Sequence, residues 1–312
     1  MVAEVLRGGA FSDDVVINLV NRRFVANYYD VAPPKNNFGD AWAYDEEAIR
    51  TIGDVHGKGG GGTQEPNGRV RADAYPTAIF VTPAGKRLDA DVFGIIPPAP
   101  FVERLRKVIR DYPEWFKPTQ EELEIETAAT TNPKDPAAQL ADARLAWELA
   151  DWDRCLRRVA MGLAASPPAR VSAEFRYLEG RVHTCSGAFD KALAALDQAA
   201  AALKDPSNPL MDDIEAAQAR VLLNQDKLDD ALKSYQRMIE MHPKGIRLGE
   251  ALYYSGLCHY RQGRKEEAKK LWRRHRENLP GDRLARRSAI SLGLPEAEAF
   301  LNQEIIDRKG WW

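Results

Sequence analysis

The chain has 312 residues, 44% of them hydrophobic and 29% charged, with a formal net charge of −2. That length leaves room for two ordinary domains, and the near-neutral balance argues against a general nucleic-acid binder. No apolar run approaches the roughly 18 residues of a membrane span, and Met1 to Ala10 lacks the apolar core of a signal peptide. Three widely spaced cysteines, Cys155, Cys185 and Cys258, suit a reducing compartment, so a cytoplasmic protein is expected.

In chain order, Asp13 to Phe24 (DDVVINLVNRRF) reads as a helix and Phe24 to Val31 (FVANYYDV) as a strand. Asp45 to Val55 is a short helix with acidic residues in its first turn, where the helix dipole favours them. In the stretch Gly57 to Thr63, Lys58 precedes four glycines and no helix follows. A phosphate loop needs the reverse order, so this stretch reads as an insertion on the rim of the domain. Thr77 to Thr82 is a short, uncharged β-branched and aromatic strand, and Pro83-Ala84-Gly85-Lys86 turns the chain. Arg87 to Gly94 returns as the second strand of a hairpin. Pro98 to Asp111 then carries Phe101, Leu105, Val108 and Ile109 at helical spacing.

A strand opened by Pro76, a Pro-x-Gly-Lys turn, a returning strand and an amphipathic helix resemble the C-terminal half of a thioredoxin-like domain, with the upstream helix and strand extending the likeness over residues 10 to 111. The resemblance implies an α/β domain, a cis bond before Pro76, and a partner-facing surface at Tyr75 and Pro76. The chain departs from that family in lacking Cys-x-x-Cys and the first strand of the fold. Two readings stay open: a non-catalytic relative, or a thiol-disulfide oxidoreductase or redox chaperone whose cysteine motif lies upstream of Met1. In the latter case a signal sequence could precede Met1 as well.

Tyr112-Pro113-Glu114-Trp115-Phe116-Lys117-Pro118 marks a junction, with aromatics expected to pack the two halves together. Residues 112–135 read as a linker with a short acidic helix from Glu121 to Ala128. Beyond Pro136 the chain repeats. Segments beginning at Ala150, Gly187, Asp226 and Gly263 align without gaps and place Cys155, Ala192, Ala231 and Ala268 at one site, with spacings of 37, 39 and 37 residues. Ala143, Gly180, Ala219 and Gly256 recur as a second small site, while Val159, Leu196, Tyr235 and Trp272 fill the hole beside it. Residues 136–280 therefore resemble four tetratricopeptide repeats, whose usual period is about 34. An all-α solenoid follows from the resemblance, with residues 281–312 supplying capping helices (Asp282 to Ser291 and Pro295 to Asp307) and a tail ending in Trp311-Trp312.

In tetratricopeptide repeats the first helix of each pair lines a concave groove. The resemblance places Arg144, Trp147, Tyr177, Arg181, Arg220, Tyr253 and Tyr260 there, with Arg144, Arg181 and Arg220 at one site of three successive repeats. A guanidinium ladder interleaved with aromatics suits the carboxylates of an acidic protein or peptide. Because Leu257 holds this site in the fourth repeat, positive charge is expected to fade toward the C-terminal end as Tyr253 and Tyr260 take over. The competing reading is that Glu174, Asp213 and Glu250 neutralise the ladder. The basic residues between Arg261 and Arg287 read as a solvated helix face, and the His183–Cys185 and Cys258–His259 pairs lack zinc-site spacing. The expectation is a protein-binding scaffold with no cofactor, metal or catalytic residue.

Overall fold

The computed structural model describes residues 13–24, 77–78, 80, 88, 92–93, 98–203, 205 and 208–293. Its first element, α1 (Asp14–Arg23), begins where the Asp13 side chain accepts hydrogen bonds from the Val15 and Val16 N–H groups, at 3.0 and 3.4 Å. Such a cap satisfies donors that the first helical turn leaves without carbonyl partners. α1 buries Val15, Val16 and Leu19 against Phe101, Val102, Leu105 and Val108 of α2 (Pro98–Asp111). Between these helices β1 (Thr77–Ala78) and β2 (Val92–Phe93) pair antiparallel, Thr77 opposite Phe93. Nearer the turn the Leu88 N–H donates to the Phe80 carbonyl at 2.7 Å.

The hairpin and α2 thus fall where the sequence places them. A four-residue ladder does not define a thioredoxin-like sheet, however, and the thioredoxin-like fold is not established by these elements. The expected strand from Phe24 to Val31 lies almost entirely outside the described residues. So do the short helix at 45–55, the glycine stretch, Tyr75 and Pro76, the second capping helix and the tryptophan tail. At the junction, Phe116 lies 5.0 Å from Phe24 ring to ring, and Phe24 in turn 5.7 Å from Phe80. Trp115 remains 48% exposed and takes no part in that packing.

α3 (Gln120–Thr131) starts with a capping box: the Glu122 N–H donates to the Thr119 hydroxyl, and the Thr119 N–H to the Glu122 carboxylate. Four helix pairs follow: α4 (Pro136–Glu148) with α5 (Trp152–Ala164), α6 (Ala169–Cys185) with α7 (Phe189–Leu203), α8 (Pro209–Asn224) with α9 (Leu228–Met241), and α10 (Leu248–Arg261) with α11 (Lys265–Asn278). Both series of small residues named from the sequence are buried at the helix contacts, and Val159, Leu196, Tyr235 and Trp272 are at most 2% exposed. Gly256 explains why a small residue is demanded: a Cβ there would stand 2.4 Å from the Trp272 indole nitrogen, which donates to the Tyr253 carbonyl.

The turn within each pair also repeats. Ala150, Gly187, Asp226 and Gly263 all have positive φ, from 53° to 79°. The N–H of the next residue reaches back in every case, from Asp151 to Ala146, Ala188 to His183, Lys227 to Leu222 and Arg264 to His259. This left-handed C-terminal cap reverses the chain in the same way four times.

α12 (Ala285–Gly293) caps the array through His275, which is fully buried. One ring nitrogen of His275 lies 2.8 Å from the Ser288 hydroxyl, the other 3.0 Å from the Asp282 carboxylate, and Asp282 also accepts the Leu284 N–H. At the other end, one apolar core runs from α1, the hairpin and α2 into Leu140, Ala143, Trp147, Phe175 and Val182 of the first repeats. Among the described residues no helix is long and apolar enough to cross a membrane.

Candidate functional site

The first helices of the second, third and fourth repeats line a cleft, and α1 reaches into it. At its centre the Arg181 guanidinium lies 4.6 Å from the Trp147 ring and 5.7 Å from that of Tyr177, while donating to the Tyr177 hydroxyl at 2.8 Å. Its remaining branch donates to the Asp14 carboxylate of α1, also at 2.8 Å. Aromatic flanks and a hydroxyl hold the guanidinium in one plane, leaving one edge to receive a carboxylate. Burial works to raise the pKa of Asp14, but Arg181, aided by Arg283 and Arg247, outweighs it and holds the carboxyl well below its usual range.

Toward the C-terminal end, Arg247 donates to Asp213 at 2.5 Å and to Glu250 at 3.3 Å, and Arg283 donates to Glu250 at 3.1 Å. Burial would raise the Glu250 pKa, yet Arg247 and Arg283 bring it below the usual value. Arg220 stacks 3.8 Å above the Tyr254 ring and is 7% exposed. The cleft is therefore lined by alternating guanidinium and carboxylate groups with tyrosines between them.

Of the residues named from the sequence, Trp147, Tyr177, Arg181 and Arg220 gather at or beside this cleft. Arg144 is placed apart, on an exposed edge, where it pairs with Glu174. Tyr253 is fully enclosed, edge-on to Tyr254 and beside Trp272, so it belongs to the core and not to the groove surface. Tyr260 packs on Trp272 with Lys265 over its ring and does not line the cleft. The expected fading of positive charge is corrected accordingly: Arg247 and Arg283 carry it to the C-terminal end, and enclosure of Tyr253 prevents an aromatic replacement. Neutralisation does occur, but with shifted partners. Glu174 takes Arg144, whereas Asp213 and Glu250 take arginines from the connections that precede α10 and α12.

Asp13, Asp14, Arg247, Tyr254 and Arg283 were not among the sequence candidates. Arg247 and Arg283 stand 36 residues apart, close to the repeat period, which is the signal that could have exposed them. No repeat pattern announces Asp14, because it arrives from a different part of the chain. Among the described residues no three His, Cys, Asp or Glu side chains gather as a metal site would require. Burial pushes the thiols of Cys155 and Cys258 up to about 12, and raises that of Cys185 well above its usual value.

Residues 216–283 match the tetratricopeptide repeat family. The search of curated proteins found no match. Among solved structures the chain is similar to YrrB, described as a TPR protein with an unusual peptide-binding site, at 20% identity and a TM-score of 0.41, over 60% of this chain and 86% of that one. The match over residues 216–283 covers most of α8 and all of α9 to α11, and it supports tetratricopeptide-type repeats in the second half of the chain.

Proposed function

We propose that this chain is a non-catalytic interaction scaffold whose concave groove binds an acidic peptide segment of a protein partner. The observation that carries this reading is the Arg181 box, where two aromatic rings and a hydroxyl orient a guanidinium on a carboxylate. Arg247, Arg283 and Arg220 continue the same chemistry along the cleft, in the place where repeats of this type present their inner helices. Each guanidinium–carboxylate contact in such a partly dry setting contributes roughly 1.5–3 kcal/mol. The N-terminal part, residues 1–111, is proposed to be a thioredoxin-like unit that adds a second contact surface at Tyr75 and Pro76. No observation favours the redox reading.

The test is an array of acidic and neutral peptides probed with the wild type and with Arg283→Ala. That side chain is partly exposed, and Glu250 keeps Arg247 when it is removed. Acidic peptides should bind selectively and lose about tenfold in affinity in the variant. If the array shows no preference for acidic sequences, the reading fails.

A further inference from the structure

The solenoid itself contributes Arg181, Arg220, Arg247 and Arg283 to the cleft but only two carboxylates, Asp213 and Glu250, a surplus of two positive charges. The two carboxylates that cancel this surplus, Asp13 and Asp14, come from the start of α1. They are adjacent in sequence, stand at the positive end of a helix, and enter the cleft as the acidic end of a ligand would. The opposite end of α1 has the complementary arrangement. Arg22 reaches Glu148 at 2.6 Å, and Arg23 reaches Glu122 through two hydrogen bonds at 2.7 and 2.8 Å. α1 thus lies with its acid end to arginines of the cleft and its basic end to glutamates of α3 and α4.

We propose that Asp13 and Asp14 are an internal ligand of the groove, and that an acidic segment of a partner takes their place when the first turn of α1 opens. This inference rests on the acidic-peptide reading of the groove. The charge count says what the incoming segment must supply: two neighbouring carboxylates to replace the two that leave. Opening the first turn gives up the Asp13 cap bonds and the burial of Val15 and Val16, whereas Leu19 and the Arg23–Glu122 pair further along can hold the rest of the helix in place. An opening confined to a helix end costs less than global unfolding. In the proposed cycle the groove is self-neutralised until a partner outcompetes its own helix.

The experiment uses the full chain with fluorescein-labelled hexaglutamate as probe, alongside hydrogen exchange of the α1 amides. Asp14→Asn removes the internal carboxylate and should tighten binding about tenfold, the factor for one charge-assisted bond lost by the competitor. Because removing a negative charge would also help an anion without any opening, two uncharged changes isolate the helix. Asn18→Gly should weaken α1, tighten binding about twofold and speed exchange in its first turn, while Asn18→Ala should do the opposite. If Asp14→Asn tightens binding and the Asn18 pair moves affinity in these opposite directions, the internal ligand stands. If hexaglutamate binds but the Asn18 variants match the wild type, α1 is a fixed wall; this inference is then overturned while the groove reading survives. Absence of binding in every protein overturns both.

Discussion

Changing Glu122 to Ala should destabilise the protein far more than the loss of a surface ion pair would. Its carboxylate meets Arg23 through two hydrogen bonds, with side-chain exposures of 3% for Glu122 and 9% for Arg23, and it also accepts the Thr119 N–H. An exposed pair would contribute about 0–1 kcal/mol, but removing one partner of a buried pair strands the other charge at about 3–5 kcal/mol. At roughly 2–4 °C per kcal/mol for a chain of moderate size, the melting temperature should fall by about 6–20 °C. Glu122→Gln keeps the shape and should cost less, and its effect should depend on pH. Burial alone would raise the Glu122 pKa, but the hydrogen bonds from Arg23 and Thr119 lower it below the usual value. A depressed folded-state pKa contributes stability that is fully present above the unfolded value, near 4.3, and is lost as pH falls through the folded one. The gap between wild type and Glu122→Gln should therefore be constant from about pH 6 to 8 and close below about pH 4. Urea unfolding of both variants across that range measures it. A loss under about 1 kcal/mol for Glu122→Ala at pH 7 would refute the reasoning, because the pair would then be behaving as a solvated one.

The repeat turns make a paired test: Gly263→Ala, whose added methyl meets open space but has φ of 79°, should cost about 1–2 kcal/mol from backbone strain alone. Gly256→Ala, driven into the Trp272 indole, should cost more and perturb near-ultraviolet circular dichroism as the indole shifts, whereas Gly263→Ala should leave that spectrum unchanged. Asp282→Asn should loosen α12 by about 1 kcal/mol, read as faster amide exchange over residues 285–293. Burial tends to raise the Asp282 pKa, but the bonds from His275 and the Leu284 N–H hold it down, so the difference should vanish as pH drops below the usual carboxylate range. Iodoacetamide at pH 8 should label the native chain slowly and all three cysteines promptly in urea, as mass spectrometry would record.

The solenoid was legible because its physics is periodic. A small residue where two helices touch and a left-handed residue at each turn must recur once per repeat, so Gly180, Gly256, Gly187 and Gly263 announce themselves by spacing. Arg181 and Arg220 were legible for the same reason. Tyr253 shows where periodicity misleads: it shares the groove register of its helix, yet α12 and the neighbouring aromatics enclose it. Arg247 and Arg283 sit outside the helical register in connections, so a search along helix faces passes over them. The placement of Asp14 on Arg181 joins residues 167 positions apart, and nothing local in either segment encodes that meeting. The N-terminal part offered only single-copy signals, such as the hairpin and α2, and these fix neighbours in sequence better than neighbours in space.

The single apolar core that passes from the hairpin and α2 into α4, α5 and α6 bears on how such an array could lengthen. Helical repeats multiply by slipping a new pair between old ones, and each copy needs only the faces that its neighbours already present. Between α2 and α4 no such face is on offer, because Leu140 and Trp147 belong to one core with Leu19 of α1 and with Phe101 and Leu105 of α2. A pair inserted there would part Arg22 from Glu148 and Asp14 from Arg181 together. Between α11 and α12, in contrast, a duplicate of α10 and α11 could receive the cap that His275 now holds. Among the described residues, room for a further pair is therefore greater between α11 and α12 than beside α1.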